Sequence, residues 1–101
     1  MEKELQITMP DFWVYILYCA NDQYYTGYTV NLIKRYCAHQ EGIGAKFTRS
    51  FRPLFLASAW PIYGTKQQAA QLEWFIKKMD RKRKQELVDC PLKLEEIFFS
   101  I

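Results

Sequence analysis

Five side chains that together could cleave a phosphodiester bond are spread over the first three quarters of the sequence. Tyr15 and Tyr25 lie ten residues apart, Arg35 follows ten residues after Tyr25, and His39 comes four residues later. The fifth is Glu73, a single carboxylate within an apolar stretch. A phenol or an imidazole can move a proton, a guanidinium can neutralise a phosphate, and a carboxylate can hold a divalent cation. The set therefore indicates single-metal phosphodiester hydrolysis.

Glu73 interrupts a stripe of apolar residues with helical spacing, four residues after Ala69 and three before Ile76. Helical geometry would place its carboxylate on the buried side of the helix. Because a buried carboxylate without a partner is costly, we expect a cation opposite it. Two explanations stay open, namely a salt bridge to Arg35 or Lys34, and a divalent metal held together with waters and a substrate phosphate.

Arg35 and His39 are four residues apart and would share one face of a helix. We expect this face to point away from the strongest core positions of the helix. Arg35 could then grip a phosphate while His39 moves a proton. The structural alternative is an exposed arginine beside a partly buried histidine.

The elements that must position these residues begin with a β-hairpin. Residues 12–18 and 23–28 are rich in β-branched and aromatic side chains, and residues 20–22 between them are turn-like. A three-residue loop would pair Tyr15 with Gly27 and put Tyr25 on the same face as Tyr15. A two-residue loop would put the two tyrosines on opposite faces.

Helices and one further strand are predicted after the hairpin. Thr29 could cap a helix from residue 30 to about residue 40. The apolar face of this helix would consist of Leu32, Ile33, Tyr36 and Cys37. A basic loop or short helix over residues 42–52 leads to a strand from residue 54 to about residue 60. A capping box at residues 65–68 opens the helix that carries Glu73, and Asp80 could cap a last helix over residues 81–88.

The order ββαβαα with short connections predicts an α+β sandwich, with a central three-stranded antiparallel sheet flanked by helices. A chain of 101 residues that is half apolar and 17% aromatic suits one domain. We expect its core at residues 12–88, with residues 1–10 and 91–101 as terminal extensions. Residues 92–99 would form a final strand or helix folded onto the core, in preference to a tail that docks on another protein.

Positive charge is concentrated in the middle of the chain. Residues 34–84 hold twelve lysines and arginines against three acidic residues, although the whole chain carries only +3. A basic middle between acidic ends is typical of proteins that bind polyanions. Lys46, Arg49, Arg52 and Lys82 are the candidate nucleic-acid contacts. For any one of them, a solvated basic surface is the alternative.

The number and spacing of the cysteines argue against two classes of protein. Cys19, Cys37 and Cys90 are odd in number and widely spaced, which argues against a zinc knuckle and against a disulfide framework. Reduced thiols favour an intracellular, cytoplasmic protein. The longest apolar run, residues 12–20, is too short for a membrane span.

The ordered motifs resemble those of the GIY-YIG nuclease superfamily. The resemblance is carried by Trp13-Val14-Tyr15, Tyr25-Thr26-Gly27, Arg35, His39 and Glu73. Residues 25–29, 44–49 and 82–87 are similar, more closely, to the small stand-alone bacterial members of the YhbQ-like, UPF0213-type group. The match covers roughly residues 12–88.

This resemblance implies metal-dependent cleavage of DNA, with Mg²⁺ or Mn²⁺ as cofactor and branched, nicked or damaged DNA as substrate. It implies that Tyr25 activates the attacking water, Glu73 ligates the metal and Arg35 neutralises the scissile phosphate. Tyr15 and His39 would orient the water or relay a proton. DNA specificity would come from the basic middle, from a homodimer or from a protein partner.

Three departures from the family pattern bear on this expectation. Trp13 stands where many relatives have glycine, and Tyr28 stands where excision-repair relatives often have lysine, a charge for which Lys46 could compensate. The asparagine that some relatives use has no obvious counterpart, since Gln85 is a poor substitute. A non-catalytic nucleic-acid-binding module and a nuclease subunit that needs a partner are the alternative functions.

Overall fold

Three strands and five helices follow one another in the computed structural model, which describes residues 8–98. The strands are β1 (Phe12–Cys19), β2 (Tyr24–Thr29) and β3 (Pro53–Ile62). The helices are α1 (Leu32–Gln40), α2 (Lys46–Ser50), α3 (Lys66–Lys77), α4 (Arg81–Asp89) and α5 (Lys93–Phe98). The predicted α+β sandwich is confirmed, and the short helices α2 and α5 are added to the predicted order. None of the helices within residues 8–98 is long and apolar enough to traverse a bilayer.

The sheet is antiparallel, with β1 in the centre between β2 and β3. The hairpin loop has three residues, because the Cys19 N–H donates to the Gln23 carbonyl at 2.9 Å. Asp22 ends this loop with φ of 62°, the left-handed conformation that such loops need. Tyr15 therefore lies opposite Gly27. Tyr25 is on the same face as Tyr15, and the three-residue alternative is confirmed.

The two faces of the sheet are chemically different. One face packs an aliphatic core to which every element from β1 to α5 except α1 and α2 contributes. Its fully buried members are Val14, Ile16, Ala69, Leu72, Ile76, Leu87 and Leu94. The other face is more polar, and there Tyr15, Leu17 and Cys19 pack against side chains of α1 and α2. Since Leu94 is 1% exposed, the described part of the C-terminal segment, residues 92–98, folds onto the core as preferred above. Residue 99 of that prediction lies outside the described residues.

Helices α1, α3 and α4 each begin at a residue whose side chain caps the helix, and one of these caps differs from the predicted one. The capping box of Thr65 and Gln68 opens α3, and Asp80 caps α4, both as predicted. The cap of α1 is Asn31 rather than Thr29, because the Asn31 Oδ1 atom accepts from the Lys34 N–H at 3.0 Å. Thr29 is instead the last residue of β2, where it pairs with β1. Asparagine is at least as good an N-cap as threonine. Because Asn31 can cap the helix, Thr29 is free to pair in β2, and α1 starts two residues later than predicted.

The buried face of α1 differs from the predicted one. Ile33 is 78% exposed and Cys37 is exposed, whereas His39 is 1% exposed and is the most buried residue of the helix. The expectation that the Arg35–His39 face points away from the core is therefore wrong for His39. The physical reason is that α1 packs against the polar face of the sheet, where a buried tyrosine hydroxyl offers the imidazole a partner.

Candidate active site

A cleft of about 710 Å³ opens where β1, β2, α1 and α3 approach one another. Tyr15, Tyr25, Arg35 and Glu73 line it, so each of these four elements contributes one predicted site residue. Lys34 and Lys66 also line the cleft. The sequence interpretation considered Lys34 only as a salt-bridge partner of Glu73 and did not consider Lys66. Residues that are 58 positions apart in the chain are thus brought to one surface by the fold.

Tyr15 is held at the cleft by a glycine on the neighbouring strand. A Cβ atom added to Gly27 would lie 2.5 Å from the Tyr15 hydroxyl oxygen, closer than van der Waals contact allows. Gly27 is therefore required for the position of the Tyr15 ring, as a glycine that permits close approach within a strand. Tyr15 is 2% exposed, and burial raises the pKa of its hydroxyl, which stays protonated at neutral pH.

His39 lies behind the cleft, in contact with Tyr15. The hydroxyl oxygen of Tyr15 is 2.8 Å from Nε2 of His39, and Nδ1 is 2.7 Å from Oγ1 of Thr48. Burial, with a smaller effect of the Arg35 charge, lowers the pKa of His39 to about 4. The imidazole is therefore neutral at pH 7 and makes hydrogen bonds at both nitrogens. Sequence reasoning missed Thr48, because a threonine inside a basic segment gives no sign that it contacts a histidine.

Gly44 joins the two functional side chains of α1. A Cβ atom at this position would lie 2.6 Å from Nδ1 of His39, so the backbone of the α1–α2 loop packs directly on the imidazole. The Gly44 carbonyl also accepts a hydrogen bond from Nη1 of Arg35 at 3.3 Å. One short loop therefore fixes both the guanidinium and the histidine ring.

Tyr25 is clamped between aromatic rings. Its ring meets that of His39 edge to face, with centroids 5.1 Å apart, and stacks on Phe47 at 5.8 Å. Burial raises the pKa of the Tyr25 hydroxyl, while the nearby charges of Lys77 and Arg35 act in the opposite direction. The sequence hypothesis relied on Arg35 and a metal to activate this phenol. Lys77 is a further cation that acts on it.

Glu73 forms an ion pair within its own helix. Its carboxylate side chain is 19% exposed, and Oε1 lies 3.2 Å from Nζ of Lys77, one turn further along α3. The predicted partners were Arg35 and Lys34, but Arg35 is bound to Gly44 instead. A glutamate four residues before a lysine is a favourable helical pair, so the sequence spacing contained this signal.

The donor set of the cleft suits a hard cation that keeps most of its waters. Within residues 8–98, no group of three or more histidines, cysteines or acidic residues is arranged to hold a metal by itself. Glu73 offers one carboxylate, partly exposed, in a cleft that is open to solvent. Mg²⁺ and Mn²⁺ are commonly bound by one or two carboxylates together with waters and substrate phosphate, so the residues present fit these ions.

The four predicted nucleic-acid contacts lie outside the residues that line the cleft. Lys46 and Arg49 are exposed on α2, and Lys82 is exposed on α4. Arg52 donates a hydrogen bond to the Gln40 carbonyl at 2.9 Å, which ties the α2–β3 connection to the end of α1. These four residues stay predictions as outer contacts, whereas Lys34 and Lys66 line the cleft itself.

The departures from the family pattern can now be located. Tyr28 lines the cleft, so an uncharged phenol occupies this part of its wall. Gln85 accepts from Tyr24 and donates to Asp89 and is not among the lining residues. Asn31 does line the cleft, but its side-chain oxygen is used to cap α1. The residues described here therefore do not supply a free asparagine at the site.

Comparison with known proteins decides the family. The sequence profile of the GIY-YIG catalytic domain matches residues 11–86. This chain belongs to the GIY-YIG family. The matched span contains all four lining residues named above together with His39, and membership places this GIY-YIG protein in a nuclease superfamily.

Among curated proteins, this GIY-YIG chain is similar to members of the UPF0213 group. A UPF0213 protein of Clostridium perfringens is 40% identical over 83% of this chain and 89% of its own length. A Vibrio cholerae member is 34% identical over 96% of this chain and 95% of its own length. The NMR structure of a Bacillus halodurans UPF0213 protein is 37% identical, with a TM-score of 0.49 over 77% of this chain and 82% of that chain. The similarity to the UPF0213 group expected from residues 25–29, 44–49 and 82–87 is confirmed.

Proposed function

We propose that this GIY-YIG protein is a divalent-metal-dependent endonuclease that hydrolyses phosphodiester bonds of branched, nicked or damaged DNA. One observation carries the proposal. Tyr15, Tyr25, Arg35 and Glu73, which come from four different elements, line one solvent-open cleft. They are the residue types that a single-metal phosphodiesterase needs, and a purely structural role would not require all four to share a surface.

Tyr25 is the general base in this proposal. It lines the cleft, whereas His39 is 1% exposed and lies behind it. Because the pKa of His39 is lowered to about 4, the imidazole is a weak base at neutral pH. Tyr25 needs added positive charge to release its own proton, because burial raises its pKa. Arg35 and a bound divalent cation would supply that charge together.

Arg35 is placed to neutralise the scissile phosphate. Its Nη1 atom is anchored on the Gly44 carbonyl, which leaves donors of the same planar guanidinium to face a phosphate oxygen. Lys34 and Lys66 also line the cleft and would bind the flanking phosphates of the strand. These three cations match the charge that develops on a phosphate during in-line attack.

Glu73 would hold the Mg²⁺ or Mn²⁺ ion. When bound, such an ion polarises the phosphate and lowers the pKa of a coordinated water. For Glu73 to serve as a ligand, its carboxylate must exchange Lys77 for the ion. A lysine that is 49% exposed can swing into solvent at little cost, so the exchange is accessible.

The test is cleavage of plasmid and branched DNA in Mg²⁺, in Mn²⁺ and in EDTA. Glu73→Gln and Arg35→Ala should each abolish metal-dependent nicking without loss of the folded state. Glu86→Gln and Arg83→Ala, both exposed on α4, are the matched controls and should cleave as the unmodified protein does. Salt-sensitive DNA binding without cleavage on any substrate would overturn the nuclease and favour a binding module.

A further inference from the structure

A buried row of polar groups runs from the cleft to the backbone of α2. The Tyr15 hydroxyl contacts Nε2 of His39 at 2.8 Å, and Nδ1 contacts Oγ1 of Thr48 at 2.7 Å. Oγ1 in turn lies 3.2 Å from the carbonyl oxygen of Ala45. Tyr15, His39 and Thr48 are each no more than 2% exposed, so the row is closed to bulk water. Each group must therefore satisfy its hydrogen bonds from the others.

The direction of these hydrogen bonds is constrained by the two ends. A carbonyl oxygen can only accept, and Thr48 has one hydroxyl hydrogen to give. If Thr48 donates to Ala45, then Nδ1 of His39 carries the proton and donates to Thr48. Nε2 is then an unprotonated acceptor, and Tyr15 donates to it. In the opposite direction, Thr48 donates to His39, His39 donates to Tyr15, and the Tyr15 hydrogen is turned toward the cleft.

The relative strengths of the donors favour the first direction. A phenol, with a pKa of about 10, is a stronger donor than an alkyl hydroxyl or a neutral imidazole N–H. The unprotonated ring nitrogen of imidazole is the most basic acceptor in the row. The first direction pairs this strongest donor with this strongest acceptor. It also gives each of the three polar hydrogens a buried partner, with the Ala45 carbonyl as the last one.

We propose that Thr48 is a positioning residue that holds His39 in the tautomer protonated at Nδ1, and thereby makes Tyr15 a hydrogen-bond acceptor toward the cleft. Thr48 acts through His39, since it does not line the cleft itself. With its hydrogen committed to His39, the Tyr15 oxygen presents only lone pairs to the cleft. Such an oxygen can accept a hydrogen bond from an attacking water and orient it, but it cannot donate to a phosphate oxygen.

The first test is the tautomer itself, measured in the unmodified protein without DNA or metal. The sequence contains a single histidine, so ¹⁵N NMR of the imidazole reports on His39 without overlap. We expect a protonated Nδ1 and an unprotonated Nε2 at pH 7. A proton on Nε2 would overturn the proposal. In Tyr15→Phe the Nδ1–H form should persist, because the Ala45 carbonyl still accepts the Thr48 hydrogen and leaves Oγ1 to accept from Nδ1. A switch of tautomer there would also overturn the proposal.

The second test separates the hydroxyl of Thr48 from its volume. Thr48→Val keeps the shape and removes the hydroxyl, whereas Thr48→Ser keeps the hydroxyl and removes a methyl group. We expect the valine variant to lose the pure Nδ1–H form and to lower kcat about 10- to 100-fold, the range seen when an outer hydrogen-bond partner of a catalytic group is removed. The serine variant should restore both. Equal tautomers and equal kcat in the two variants would contradict the role of Thr48.

The catalytic part of this inference rests on the proposed nuclease function, but the tautomer does not. If the protein binds DNA without cleaving it, the NMR result still decides whether Thr48 sets the state of His39. If the valine variant does not fold, the tautomers of the unmodified protein and of Tyr15→Phe decide whether Thr48 sets the state of His39. A cleaving enzyme with Nε2–H would overturn the inference and leave the proposed function intact.

Discussion

The hydroxyl oxygen of Tyr15 lies 2.8 Å from Nε2 of His39, although 24 residues separate them in the chain. This contact joins the central strand to the last turn of α1 beneath the cleft. Because the imidazole is buried and neutral, it fixes the tyrosine without bringing a charge into the interior. Measurable consequences follow for stability and for catalysis.

The buried imidazole should make the protein sensitive to mild acid. The folded-state pKa of His39 is lowered to about 4 from an ordinary value of 6.5, so the unfolded chain takes up a proton first as pH falls. The stabilisation is complete above pH 6.5 and is lost progressively between pH 6.5 and pH 4. Within this window the free energy of unfolding should fall by up to about 1.4 kcal/mol per pH unit. Urea unfolding at a series of pH values measures it.

His39→Gln is the control for that acid sensitivity, since it removes the titrating group. Its free energy of unfolding should be lower at pH 7 but nearly flat between pH 6.5 and pH 4.5. The hydrogen bond from Tyr18 lowers the pKa of Asp22, and the stabilisation this brings is complete above the ordinary value of 3.8 and is lost only below it, outside the window of His39. An unmodified protein whose stability does not change across the window would contradict the burial of a neutral imidazole.

Tyr25→Phe should abolish turnover and leave DNA affinity unchanged. The phenylalanine ring keeps the contacts with His39 and Phe47, so the fold is retained while the proton acceptor is lost. A general base contributes about 100-fold or more, which sets the expected loss of kcat. Tyr63→Phe, at an exposed tyrosine that does not line the cleft, is the matched control. Near-normal turnover of the Tyr25 variant would assign the base to another group.

Gly27→Ala should inactivate the site without unfolding the protein. The added Cβ would lie 2.5 Å from the Tyr15 oxygen, so the phenol must move away from His39. A displacement of about 1 Å at a reacting centre can cost about 100-fold in rate. Gly64→Ala is the control, because its Cβ meets only the flexible end of Gln68 and disturbs the α3 cap instead. Cleavage rates measure the activity of the two variants, and circular dichroism shows whether each is folded. Equal activity of both variants would refute the role of Gly27.

Lys77→Gln should tighten the binding of Mn²⁺ to the DNA-free protein. The substitution removes the cation that competes for the Glu73 carboxylate at 3.2 Å. An exposed helical ion pair contributes about 0.2–0.5 kcal/mol, so the dissociation constant should fall by a factor of about 1.4 to 2.3. Lys78→Gln is the matched control, since Lys78 lies over the Trp74 ring rather than against Glu73. Calorimetric titration with Mn²⁺ measures both, and an unchanged affinity in the Lys77 variant would show that this lysine does not compete.

The sequence predicted those features that depend on short-range rules. The three-residue hairpin loop, the capping box of Thr65 and Gln68, and the cap at Asp80 are local, and each was confirmed in its place. Register follows from loop length, because side chains alternate along a strand. The sequence left a three-residue and a two-residue loop open, and the observed register confirms the three-residue alternative, which puts Tyr15 and Tyr25 on one face.

Features that depend on a polar interior could not be predicted in the same way. The apolar pattern of α1 pointed to Ile33 and Cys37, whereas the helix buries His39. The hydrophobic pattern of α1 does not show that the Tyr15 hydroxyl, on the face of the sheet that α1 covers, can form a hydrogen bond with the imidazole. Thr48 was missed for the same reason, since its partner is a ring nitrogen that only the tertiary structure brings within 2.7 Å.

The partner of Glu73 is an intermediate case. The spacing of Glu73 and Lys77 was visible in the sequence, and helical pairing rules favour their contact. The prediction looked instead for a cation from another element, because it took the carboxylate to be deeply buried. The observed exposure of 19% removes the need for such a distant partner.

Leu87 of α4 and Leu94 of α5 belong to the same core cluster as Val14 and Ile16 of β1. Every candidate catalytic residue, up to Glu73, precedes these two leucines in the chain and is synthesised before them. A nascent chain can therefore contain all candidate catalytic residues while it still lacks the two leucines that complete the core beneath the sheet. Domains generally fold as units once their chain has emerged. Because α4 and α5 complete this core, we expect the cleft to reach its final geometry only after both helices have been synthesised.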